Sequence, residues 1–69
     1  SSVIKDMIIH TSGIGEYSSL NVTFQTGDEY YYPKVHNNTL YSILFADSIG
    51  SAFNQLISGK AEIRYARLS

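Results

Sequence analysis

The chain has 69 residues, 43% of them apolar and 16% charged, with five basic residues against six acidic, one proline and no cysteine. That is room for one small domain, residues 1–69, carrying one site, and it excludes disulfides, thiolate metal centres and a polyanion grip built on a basic stripe. No apolar run approaches the roughly 20 residues that span a bilayer, and the first residues form no basic-apolar leader, so cytoplasmic residence is expected.

Val3 to Thr11 is rich in β-branched and apolar residues and reads as a strand, broken by the loop Ser12-Gly13-Ile14-Gly15. From Tyr17, Leu20, Val22 and Phe24 alternate with Asn21, Thr23 and Gln25, the period of a half-buried strand. Thr26-Gly27-Asp28 supplies a turn, and Glu29 to Val35 returns antiparallel, with Tyr30 and Tyr32 on one face and Tyr31 on the other. Pro33 has no N–H and belongs at a strand end or sheet edge. Asn37 or Asn38 caps a helix starting at Thr39, in which Leu40, Ile43 and Leu44 share a face with Tyr41 beside it. Asp47-Ser48 offers a second cap, followed by an amphipathic helix of Ile49, Ala52, Phe53, Leu56 and Ile57 that Ser58-Gly59 ends. Glu62 to Leu68 alternates again, as a last short strand or an extended tail. The expected fold is α+β, a small antiparallel sheet of three or four strands with two short helices packed on one side.

A domain this small buries only roughly 60% of the surface its unfolded chain exposes, so association is a ready supplement. Six tyrosines and three phenylalanines supply flat surfaces for it, and a homo-oligomer, dimer or tetramer, is expected. His10 and His36 lie in different elements without ligand spacing, and the acids are scattered singly. Neither a metal, a cofactor nor an enzyme is expected. The triplet Tyr30-Tyr31-Tyr32 either stacks bases or serves packing and interface, since strands and interfaces both favour tyrosine. The helix start at Ser48-Ile49-Gly50-Ser51 is either an anion seat or a plain cap, with Asp47 counting against an anion. Lys34, Lys60, Arg64 and Arg67 are the candidate counter-charges; Arg64 and Arg67 either clamp a phosphate or solvate the tail.

Tyr30-x-Tyr32, Val35, Leu44, Ala46, Ser48-x-Gly50 and Phe53-Asn54 resemble the core of the KTSC domain, a module named for the C-terminus of some lysyl-tRNA synthetases, over about residues 20 to 60. The chain departs from that pattern at Ile57, where many members carry a basic residue, and at Leu40, where an aromatic is common. The resemblance implies RNA binding. In size, aromatic content and lack of a basic patch the chain is also similar to small phage proteins that sequester cyclic nucleotides of bacterial immunity, the anti-CBASS sponges.

The reading that joins these features is a non-catalytic, homo-oligomeric binder of a small nucleotide, a cyclic dinucleotide such as cGAMP, held between subunits. Its expected ligand-binding residues are Tyr30, Tyr32, Ser48, Ser51, Asn54, Lys60, Arg64 and Arg67. In it Tyr30 and Tyr32 stack on or wall the bases, Ser48, Ser51 and Asn54 donate hydrogen bonds, and Lys60, Arg64 and Arg67 meet phosphate. For Asn54 a structural bond to a neighbouring loop stands as the alternative. Two other classes compete: an RNA-binding accessory domain, and a purely structural or protein-interaction oligomer.

Overall fold

The computed structural model describes residues 3–11, 13–58 and 60–68. Strands β1 (Ile4–His10), β2 (Tyr17–Phe24) and β3 (Glu29–His36) are followed by helices α1 (Asn37–Leu44) and α2 (Ile49–Leu56) and a two-residue strand β4 (Ala66–Arg67). The four strands form one antiparallel sheet in chain order. The α+β architecture is therefore the expected one, with the tail contributing a strand of only two residues.

Alternation builds the core. Leu20 and Val22 of β2 and Tyr32 and Val35 of β3 turn to the helix side, where they meet Leu40 and Ile43 of α1 and Phe53 and Ile57 at α2. Two irregularities adjust the sheet. One extra residue in β1, at Lys5, separates Ile4↔Phe24 from Asp6↔Thr23. A second bulge in β3 spans Pro33-Lys34, between Tyr32↔Leu20 and Val35↔Ser18. A bulge tolerates a residue that lacks a ladder donor, and β4 pairs only with Tyr30 and Tyr31, so Pro33 also lies on the sheet's open edge. The β2–β3 turn closes with Gly27 N–H donating to Phe24 O at 2.9 Å, and Gly27 takes φ 95°, a conformation that favours glycine.

The helix ends differ from expectation in part. α1 starts at Asn37, two residues early, because the cap is the His36 side chain, whose Nδ1 accepts from Asn38 N–H at 3.1 Å. Asn37 is engaged elsewhere: its Oδ1 accepts from the buried Ser18 hydroxyl at 2.6 Å and its Nδ2 donates to Gly15 O at 3.3 Å, fastening the β1–β2 loop to the helix. Ser48 caps α2 as expected, accepting from Ser51 N–H at 3.3 Å. α2 stops at Leu56 with Ile57 as its C-cap; Ser12 and Gly59, read as loop and stop signals, lie outside the described residues. Leu44, at the last position of α1, is exposed although Leu40 and Ile43 are buried, and so is Phe45 at the C-cap. Among the described residues no helix is long and apolar enough to cross a membrane.

Candidate functional site: an aromatic cleft beside the last strand

After α2 the chain doubles back along β3. Lys60 N–H donates to Ile57 O and Ile63 N–H to Lys60 O, each at 3.1 Å. These tight turns lead into β4, where Arg67 pairs with Tyr30 and Ala66 with Tyr31, and Leu68 N–H donates to Glu29 O at 2.8 Å. The returning segment and β3 enclose a cleft of about 530 Å³, within the range of small-molecule pockets. Tyr30, Tyr32 and Phe24 come to it from the sheet, Ile57 and Ser58 from the end of α2, and Lys60, Ala61, Ile63 and Tyr65 from the returning segment.

Its aromatic rings form a connected set. Phe53, fully buried, meets Phe24 at 5.8 Å and Tyr32 at 5.6 Å between ring centroids. Phe24 meets Tyr30 edge-on at 5.5 Å. Tyr30 meets Tyr65 edge-on at 5.5 Å, and Tyr32 lies tilted against Tyr65 at 5.7 Å. These are the offsets that ring quadrupoles favour. Tyr32 is 6% exposed and Tyr65 62%, so the set grades from core to surface. Burial, with Tyr65 and Tyr30 adding smaller contributions, pushes the Tyr32 phenol above its ordinary pKa.

The charged groups are sparse. Lys60 and Asp28 line the cleft. Asp28 Oδ1 accepts from Arg67 Nη2 at 2.8 Å, and its Oδ2 accepts from Thr26 Oγ1 at 3.0 Å. A carboxylate therefore faces the cleft with a guanidinium beside it.

Of the residues expected from sequence, the structure brings Tyr30, Tyr32 and Lys60 together and sets Arg67 next to them. Tyr32 walls the cleft from within the core and has no free face for stacking. Ser48, Ser51 and Asn54 do not join the cleft: they border a separate hollow of about 390 Å³ with Val3, Gly50 and Gln55. The helix itself explains the separation. Phe53 and Ile57 fix the buried stripe, which leaves Asn54, one residue round the turn, and Ser51 facing solvent. Ser48 is occupied as the cap, and Arg64 lines none of the cavities described here. Lys34 lies with its Nζ 4.6 Å from the Tyr17 ring centroid, beside the Tyr17–His36 edge contact. The residue that sequence reasoning missed is Tyr65. Its alternation with Ile63 marked a strand, and only the return of the chain against β3 carries it to Tyr30.

A sequence model of the KTSC domain matches residues 15–60, two thirds of the chain, and the chain belongs to that family. The match begins just before β2 and ends at Lys60, so it takes in β2, β3 and both helices, while β1, Tyr65 and β4 lie outside it. No curated protein and no solved structure matches the chain. Both positions where the chain departs from the family pattern are core positions: Leu40 is 3% and Ile57 1% exposed.

Proposed function

We propose that this KTSC domain is a non-catalytic binder of a small nucleotide, and that the ligand class is a cyclic dinucleotide such as cGAMP, sequestered without turnover as phage sponges do. The observation that carries the reading is Tyr65 and Tyr30 meeting edge to face in a cleft that Lys60 also lines. An exposed tyrosine face stacks a base for roughly 1–3 kcal/mol whatever the base, and one cation beside it suits a ligand with few phosphates. The net charge of −1 supports a small anion over a long one, for which many phosphate contacts are needed. Asp28 opposes an anion, and Arg67 offsets it.

The test is a thermal-shift and calorimetric series against cyclic di- and trinucleotides, linear nucleotides and short RNA. Ligand at 100 times its dissociation constant adds about 2.7 kcal/mol, a rise of roughly 10–20 °C for a domain of this size. Lys60→Ala, at an exposed position, should abolish the rise while leaving the unliganded melt nearly unchanged, and Tyr65→Ala should abolish it from a melt already lowered by the lost ring contacts to Tyr30 and Tyr32. Binding confined to RNA, with affinity falling steeply in salt, would establish the accessory-domain reading instead. No response to any nucleotide would refute both.

A further inference from the structure

β1 is an edge of the sheet, with β2 on one side and, among the described residues, no strand on the other. Natural edges are blunted by charge, proline or a bulge, because a bare edge recruits another strand. Here the bulge at Lys5 and the charge of Asp6 protect only the first half; Met7-Ile8-Ile9 follows without protection. Met7 N–H donates to the carboxylate of the adjacent Asp6 at 3.0 Å, a side chain standing in where no neighbouring strand supplies a carbonyl.

The helix side of this edge is also open. A groove of about 600 Å³ runs between Ile4, Met7 and the α1–α2 link, with Leu44 and Ile49 opposite. Leu44 also borders a hollow of about 360 Å³ that reaches Ile9 and Tyr41. Leu44, Tyr41 and Phe45 are all exposed, Phe45 by 86%.

We propose that β1 pairs antiparallel with β1 of a second copy about a two-fold axis at Ile8, joining the two sheets into one. The occupant and the register both follow from self-complementarity, which a two-fold interface requires. With Ile8 opposite the partner's Ile8, Met7 faces the partner's Ile9 on the helix side and Asp6 faces the partner's His10 on the outer side. An axis at Met7 would set Asp6 against Ile8, an axis at Asp6 would oppose two carboxylates, and an axis at Ile9 would set Ile8 against His10. The Ile8 axis sets the Asp6 carboxylate, an acceptor, opposite the partner's His10 imidazole, a donor, and opposes no like charges, so only this axis satisfies both faces. His10 is already held on the outer face, its Nε2 3.1 Å from Asn21 Oδ1. In this register Met7 and the partner's Ile9 exchange main-chain hydrogen bonds, and the Ile8 pair takes the closer, non-hydrogen-bonded site. The two α1 helices then flank the seam and cover Leu44 and Tyr41. The proposal is independent of the nucleotide reading, since the aromatic cleft lies at the other edge of the sheet, along β3 and β4.

Mass measurement over a dilution series, by light scattering and native mass spectrometry, tests it with three variants whose folding is followed by circular dichroism. Ile8 is half exposed on the outer face, so Ile8→Lys should keep the fold and halve the mass. Asp6→Arg, which sets arginine against the partner's His10, should also dissociate the pair. Asp6→Arg/His10→Glu puts an arginine–glutamate pair at the same cross-strand position and should restore the dimer. A monomeric wild type overturns the proposal and leaves the edge to a strand of another protein. A folded Ile8→Lys that stays associated, or a folded double variant that does not recover, overturns it as well.

Discussion

Arg67 Nη2 donates to Asp28 Oδ1 at 2.8 Å, a contact between residues 39 positions apart in the chain. It ties the last strand to the β2–β3 turn and places its carboxylate in the cleft. Both side chains are partly exposed, 62% and 37%, so the pair fixes position more than it adds stability.

Asp28→Asn tests what that carboxylate does. Stability should change by no more than about 1 kcal/mol, as for other exposed pairs. Affinity for an anionic ligand should rise several-fold, because the cleft loses its negative group while Lys60 and Arg67 remain. Calorimetry on the wild type and the variant at two salt concentrations checks both effects.

Ser18 is buried and donates to Asn37 Oδ1 at 2.6 Å. Ser18→Ala leaves that amide oxygen without its donor at a cost of about 1–3 kcal/mol, and the melting temperature should fall by several degrees. Asn37→Ala should fall further, since it also gives up the bond to Gly15 O. Thermal melts of the two variants and the double variant separate the contributions.

Phe53 is the largest fully buried side chain and the ring on which Phe24 and Tyr32 both pack. Phe53→Ala should cost about 3–5 kcal/mol, against a total stability of roughly 3–10 kcal/mol for a domain of this length. The variant is expected to be largely unfolded by circular dichroism at room temperature. Phe53→Leu should stay folded with a lowered melt.

The raised Tyr32 phenol gives stability a dependence on alkaline pH. Folding favours the neutral form, so the contribution is complete below the ordinary tyrosine pKa of about 10 and is lost as pH rises through the higher folded value. Denaturant midpoints should therefore fall above about pH 10, and Tyr32→Phe, which keeps the ring contacts, should flatten that part of the fall.

What the sequence reveals divides along physical lines. Leu20, Val22 and Phe24 declared their strand because one face is buried and the period is two. Ser48 declared its helix because a cap is a local contact. The start of α1 was hidden, because His36 caps it while Asn37 is drawn away by Ser18, a partner 19 positions back. At the site, Tyr30 and Lys60 stood out by type, whereas Tyr65 depended on where the chain returns. The grouping of Ser48, Ser51 and Asn54 with the tyrosines failed on helix rotation: residues adjacent in sequence point about 100° apart.

The wall that Tyr65 contributes hangs on little. β4 is two residues long and exposed, and among its fastenings are the pairing with Tyr30 and Tyr31, the Leu68 amide, the Arg67–Asp28 pair and the Tyr65 ring contacts to Tyr30 and Tyr32. Such a segment opens by local unfolding at a small fraction of the global free energy. The Leu68 amide should thus exchange with deuterium orders of magnitude faster than Leu20 or Val22, and any ligand that stacks on Tyr65 should slow it. If the cleft takes the proposed nucleotide, the opening of β4 would set the rate of entry and its re-pairing the residence time.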